Sequence, residues 1–214
     1  VLKALLFDLD GTLAETDSVH FPAWAEILKP HGYEVDWAFY QERISGRLNP
    51  EIVEEFLPHL SEEEGRRIVE EKEEDFRSRA SALEPLPGLL EFVALAGEAG
   101  LKAALVTNAP GENALAVLRA LGLEEAFDPI VLAEDVGAGK PDPRPYRHAL
   151  KLLGARPEEA IAFEDSPSGI AAAVGAGIPT VGVASTHDPE KLARLGAEPV
   201  VEDFTDPALA KLLR

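Results

Sequence analysis

Short apolar runs recur along the chain, separated by stretches where apolar positions return every three or four residues. Leu2–Leu9, Lys102–Thr107, Ile130–Leu132, Ala160–Glu164 and Thr180–Val183 each read as a strand buried on both faces, as in a parallel sheet. Between the later runs, Gly88–Ala99, Glu112–Leu121, Pro143–Leu153 and Pro167–Ala176 carry helical spacing. Strand and helix in alternation predict βαβ units and an open α/β sheet. One stretch departs from this rhythm. From Asp17 to Leu83 the patterns are helical only: a helix capped by Asp17 and running through Trp24 to Leu28, another at Pro50–Leu57, and a third opened by the capping box at Ser61 and continuing to Arg79. Leu83-Glu84-Pro85-Leu86-Pro87-Gly88 then punctuates the return to alternation. The expected organisation is an α/β core formed by residues 1–15 and 84–214, with residues 16–83 as an all-helical insert. The acidic run Glu62–Glu74 reads as a solvated helix face.

Composition narrows the possible chemistry. The chain has 214 residues, 39 acidic and 20 basic, for a formal charge of −19. Such a surface repels phosphate backbones and anionic headgroups, so neither nucleic acid nor membrane is an expected partner. No apolar run approaches the roughly 20 residues that a spanning helix needs. No secretory signal precedes the first strand, and the expected compartment is the cytoplasm. There is no cysteine, which removes disulfides, thiolate zinc sites and cysteine nucleophiles. Methionine is absent too, and the chain opens on Val1 without an initiator. Abundant Ala, Leu, Glu, Arg and Pro beside these absences point towards a heat-stable source.

The candidate chemistry gathers at strand ends. Asp8-Leu9-Asp10-Gly11-Thr12 closes the first strand, at the edge where open α/β sheets bind ligands. Two neighbouring carboxylates repel unless a cation lies between them, and Mg²⁺ suits a hard oxygen site of this kind. Asp-x-Asp-Gly alone is equally a turn signal. Thr107-Asn108 ends the second clear strand, Gly139-Lys140-Pro141 follows the third, and Glu164-Asp165-Ser166 ends the next. Together they offer a carboxylate nucleophile, a second carboxylate, a hydroxyl, a cation and acidic metal ligands. Ser166 also reads as the cap of the following helix. His20 and Trp24 stand at i,i+4 and are expected to pack together, and Arg144, Arg147 and His148 read as solvated.

Asp8-x-Asp10-Gly11-Thr12, Thr107, Lys140-Pro141 and Glu164-Asp165, in that order, resemble the four motifs of the haloacid dehalogenase superfamily. The helical insert stands where that superfamily's C1 cap belongs. Lys3-Ala4, Leu6 through Gly11, and Thr16-x-x-x-His20-Phe21-x-Ala23-Trp24 are similar to the β-phosphoglucomutase-like group. The resemblance implies a Rossmann-like, mostly parallel sheet flanked by helices. It implies Asp8 as nucleophile, Asp10 as general acid and base, and Thr107 and Lys140 as phosphate-binding groups. Mg²⁺ would be held by Asp8, the Asp10 main-chain carbonyl, Asp165 and Glu164, the last directly or through water. Substrate contacts would come from Asn108, Gly46, Arg47, Lys72, His20 and Trp24. The implied activity is hydrolysis of a small phosphomonoester, a sugar phosphate or a phosphoglycolate-like compound, with sugar phosphomutase as the alternative. A mutase grips a second phosphate with polar residues just past Thr107, where this chain has Ala109-Pro110-Gly111. The expected partner is a small phosphorylated metabolite, and the expected state a monomer or weak homodimer.

Overall fold

The computed structural model describes residues 1–213. Its centre is a six-stranded, wholly parallel sheet with β1 at Ala4–Phe7, β2 at Lys102–Thr107, β3 at Ile130–Leu132, β4 at Ala160–Glu164, β5 at Thr180–Val183 and β6 at Val200–Val201. The order β3-β2-β1-β4-β5-β6 puts β1 inside, paired in register with Lys102–Leu105 on one side and Ala160–Phe163 on the other. Successive strands spread from β1 in one direction and from β4 in the other. A crevice therefore opens over the carboxyl ends at this switch point, the general ligand position in such sheets. All four β1 residues are fully buried, as the uninterrupted apolar run requires. The strand is shorter than the Leu2–Leu9 run, because the chain turns out of the sheet at Asp8.

The two faces of the sheet have different cores. Leu5 and Phe7 join a face rich in phenylalanine, where the Phe7 and Phe163 rings stack with centroids 4.7 Å apart, beside Phe92 and Phe204. Ala4 and Leu6 meet a face of small residues from Ala104 to Ala173, filled by Tyr146. Each large side chain buried in this way contributes about 1.5–3 kcal/mol.

The stretch expected to be helical is α1 (Asp17–Leu28), α2 (Trp37–Arg43), α3 (Asn49–Phe56) and α4 (Glu62–Arg79), with short 3-10 turns. These helices have their own core of Trp24, Leu28, Tyr40, Ile44, Ile52, Phe56 and Leu57. The Ser61–Glu64 capping box is present. Asp17 is not the cap of α1. Thr16 holds that position, while Asp17 lies in the first turn and accepts a hydrogen bond from the Tyr40 hydroxyl at 2.7 Å. Asp36 caps α2, a helix whose short pattern sequence reading missed. The two chain crossings into and out of this stretch run side by side, with Ala14 bridged to Pro85 and the Leu86 N–H donating to the Leu13 carbonyl at 2.9 Å.

The remaining helices are α5 (Leu89–Glu98), α6 (Gly111–Leu121), α7 (Ala133–Val136), α8 (Arg144–Leu153), α9 (Pro167–Gly175), α10 (Pro189–Arg194) and α11 (Pro207–Leu212). The short α7, α10 and α11, and the two-residue β6, are too brief for periodicity to reveal. Among the described residues, no helix is long and apolar enough to cross a membrane.

Candidate active site

Asp8 leaves the sheet at the end of β1, with its N–H still bonded to the Phe163 carbonyl of β4 at 3.0 Å. This anchors the first carboxylate over the crevice. Lys140, delivered by the loop after α7, donates to Asp8 Oδ1 at 2.5 Å and to Glu164 Oε1 at 2.6 Å. The Tyr146 hydroxyl of α8 also donates to Glu164 Oε1 at 2.6 Å. Asp165 receives a hydrogen bond from the Thr186 hydroxyl in the loop after β5. The Ser185 hydroxyl donates to the Gly11 carbonyl in the turn beneath Asp10. Sequence reading missed this Ser185-Thr186 loop, which carries no motif of its own.

Two glycines make room for these carboxylates. A Cβ on Gly169 would stand 1.8 Å from Glu164 Oε2, and one on Gly11 would stand 2.2 Å from Asp165 Oδ2. Gly11 also has φ +75°, in the left-handed region that disfavours side chains. Ser166 caps α9 by accepting from the Gly169 N–H at 3.1 Å, a contact typically worth about 1 kcal/mol.

The electrostatics show one cation serving several anions. Burial, with the nearby Glu164 and Asp10 carboxylates, pushes Asp8 up to about 7 even though Lys140 opposes the shift. Burial and the charges of Asp8 and Glu164 raise Asp165 well above the usual carboxylate range. Burial alone would lower Lys140, but Asp8 and Glu164 overcome it and raise its pKa. One oxygen each from Asp8, Glu164 and Asp165 lie within 4.8 Å of one another. The buried Glu164 Oε2 has no hydrogen-bond partner among the described residues. Clustered, crowded carboxylate oxygens with an orphaned lone pair fit a hard divalent cation.

Asp10 stands apart from this cluster. Its Oδ1 accepts from the Thr16 hydroxyl at 2.7 Å and lies 3.7 Å from His20 Nε2. Burial would raise its pKa, yet the bonds and charge of His20 and Thr16 hold it below its ordinary value. The fully buried Thr107 accepts the Ala109 N–H at 2.9 Å, leaving its hydroxyl proton to be donated.

All of the other residues expected in the site except Glu164 line one pocket with Asp8: Asp10, Thr107, Lys140, Asp165, Asn108, Gly46, Arg47, Lys72, His20 and Trp24. Glu164 alone lies beneath it, fully buried. Several side chains are engaged differently from the sequence expectation. Asn108 ties loops together, accepting the Lys140 N–H at 2.8 Å and donating to the Gly46 and Lys140 carbonyls. His20 packs on Phe76 of α4, centroids 4.2 Å apart and nearly parallel, while Trp24 lies beneath the Lys72 ammonium. Arg47 is bonded to Glu55 at 2.6 Å and to the Arg43 carbonyl at 2.8 Å. Lys72 is buried against Glu73, 2.7 Å away. Glu73 itself is only 4% exposed, a correction to the solvated reading of Glu62–Glu74. Asp17, Tyr40, Asn49, Glu73 and Asn113 are further pocket residues that sequence reading did not find. The signal for Asn113 was its place in the first turn of α6, one helical step beyond Pro110. Arg144, Arg147 and His148 are exposed, as expected.

Comparison with known proteins places the chain in a family. The description haloacid dehalogenase-like hydrolase matches residues 2–177. Validoxylamine A 7'-phosphate phosphatase of Streptomyces hygroscopicus is 34% identical over 210 residues, covering 95% of each chain. The phosphorylated carbohydrates phosphatase of Thermotoga maritima is 34% identical over 212 residues, covering 94% of each. The crystal structure of β-phosphoglucomutase from Clostridium difficile superposes with a TM-score of 0.88 at 28% identity, covering 99% of this chain and 96% of that one.

Proposed function

Because the chain belongs to the haloacid dehalogenase-like hydrolase family, we propose that it is a Mg²⁺-dependent phosphatase of small phosphomonoesters, working through an aspartyl-phosphate on Asp8. The observation that carries this reading is the constellation around Asp8: Lys140 at 2.5 Å, Glu164 and Asp165 close by, and Asp10 two residues on. In the first step an Asp8 oxygen attacks phosphorus as the bond to the leaving oxygen breaks, and Asp10 gives that oxygen its proton. In the second, water attacks the same phosphorus while Asp10 takes its proton. The bond to Asp8 breaks and inorganic phosphate leaves. Lys140 and the Thr107 hydroxyl bind the phosphoryl oxygens throughout. Asp8, the Asp10 main-chain carbonyl, Asp165 and Glu164 would hold Mg²⁺, Glu164 directly or through water. When bound, the ion offsets charge on the phosphoryl group.

Residues 16–83 act as a cap that closes over the pocket and excludes water, hinging at Ala14–Asp17 and Leu83–Pro87. The names of the two phosphatase relatives support a phosphorylated carbohydrate as substrate. The likeness to β-phosphoglucomutase keeps a sugar phosphomutase as the second reading. Against it, Ala109, Pro110 and Gly111 offer no side-chain donor to a second phosphate.

The test is phosphate release from a panel of sugar phosphates and phosphoglycolate, with Mg²⁺ and with excess chelator. β-Glucose 1-phosphate is followed in parallel for glucose 6-phosphate. Mg²⁺-dependent release is expected. Glucose 6-phosphate forming much faster than free phosphate would establish the mutase instead, and undiminished activity in chelator would remove the metal.

A further inference from the structure

The cations on the insert side of the pocket are already matched by carboxylates. Lys72, its side chain only 3% exposed, gives its ammonium to Glu73 at 2.7 Å. Glu73 also accepts from Asn49 of α3 at 2.5 Å and from Asn113 of α6. Burial would raise its pKa, yet Lys72, His20 and the Asn113 amide hold it below the usual range, so Glu73 faces Lys72 as a carboxylate. Arg47 is engaged by Glu55 at 2.6 Å, with Glu51 3.9 Å away. Asp17, in the same pocket, has a buried carboxylate oxygen with no hydrogen-bond partner among the described residues.

We infer that Glu73 determines specificity by neutralising Lys72, so that this end of the pocket takes a neutral, hydroxylated group and rejects a second anion. This rests on the phosphatase reading above. A second phosphate or a carboxylate would have to displace Glu73 from Lys72 and then remain beside it, together with Asp17. Like charges so placed in a poorly solvated site disfavour the complex strongly. A hydroxyl is both donor and acceptor. It can donate to Asp17 Oδ2 or Glu73 and accept from Lys72 without breaking the pair. The substrate class is therefore a polyhydroxylated monophosphate, as opposed to a bisphosphate or a phosphorylated carboxylic acid.

The test measures binding by calorimetry in the Asp8→Asn protein with Mg²⁺, using sorbitol 6-phosphate, fructose 1,6-bisphosphate and phosphoglycolate. Sorbitol 6-phosphate is expected to bind at least about tenfold more tightly than either of the others. Adding Glu73→Gln keeps one amide oxygen, an acceptor for Asn49 or Asn113 but not both, and removes the counter-charge from Lys72. It should move the ratio towards the bisphosphate by about tenfold, and adding Lys72→Met should erase that gain. Equal or tighter binding of the bisphosphate or of phosphoglycolate before Glu73 is changed overturns the inference, whether or not the Glu73 variants fold. An unchanged ratio in a folded Glu73→Gln variant overturns it too, as does failure of all three ligands to bind. Phosphate release by the unmodified enzyme from the sugar phosphate panel above separately decides the phosphatase reading. Its absence defeats that reading, while its presence beside an unfavourable binding ratio defeats only the assignment to Glu73.

Discussion

The two ends of the pocket treat charge in opposite ways. At the strand ends, a single ammonium, Lys140, faces Asp8 and Glu164 with Asp165 close by, and a buried carboxylate oxygen goes unpartnered. On the insert side, Lys72 has Glu73, and Arg43 and Arg47 share Glu55. The first arrangement leaves negative charge uncompensated, which creates a demand for a cation and, through it, for a phosphoryl group. The second pairs Lys72 with Glu73 and leaves one buried Asp17 oxygen without a partner among the described residues, so it selects by hydrogen bonding and disfavours a further anion. Chemistry and choice of substrate thus rest on different electrostatic designs within one cavity.

The largest effect should come from breaking the strand-end arrangement at its reacting atom. Asp8→Asn is nearly isosteric but lacks the carboxylate proposed as nucleophile, and should lower kcat by at least about 10³-fold with the fold retained. Steady-state phosphate release and circular dichroism check both halves of that statement. A smaller effect, spread over stability and metal response, is expected for Gly169→Ala. The new methyl would meet Glu164 Oε2, 1.8 Å from the ideal Cβ position. The variant should lose about 1–3 kcal/mol and need more Mg²⁺ for half-maximal activity, as read by thermal melts and Mg²⁺ titration.

The effect with the least consequence for the reaction, confined to stability and its pH dependence, falls on the insert side. Burial raises Asp17 to about 6, above its usual unfolded value, with the Tyr40 hydroxyl opposing the shift. Folding therefore favours the protonated carboxyl. The stability it contributes is complete below about pH 4 and is lost as the pH rises through about 6. Asp17→Asn keeps an acceptor for Tyr40 without the charge. It should raise Tm at pH 8, by an amount equivalent to at most about 3 kcal/mol, and the gain should vanish near pH 4. Thermal melts of both proteins between pH 4 and 8 measure the crossover.

The same division governs what could be read from the sequence. Asp8, Thr107 and Glu164-Asp165 sit at or just past strand ends, so locating the strands located the crevice. Glycine and proline punctuation then marked Lys140. The parallel sheet and the helical insert followed from a change of period visible over tens of residues. Glu73 was hidden because burial of one glutamate within an acidic run depends on Asn49 and Asn113, 24 and 40 residues away. The ring beneath His20 was misjudged for the same reason. Its i,i+4 neighbour Trp24 was the local choice, but Phe76 from another helix takes the place. Thr186 carries no pattern at all, and only the fold of the loop after β5 brings its hydroxyl to Asp165.

The bridge between Ala14 and Pro85 gives this chain a seam. Because the segment between them departs and returns at one spot, its ends are held together by the sheet domain whatever lies in between. Closing a longer or shorter excursion costs only slowly varying chain entropy, about 0.6 kcal/mol per doubling of length. Descendants of such a chain can lengthen, trim or rewrite the excursion while the catalytic strands keep their register. Diversification of substrate can then proceed by editing one contiguous stretch of gene, with the hydrolytic machinery inherited intact.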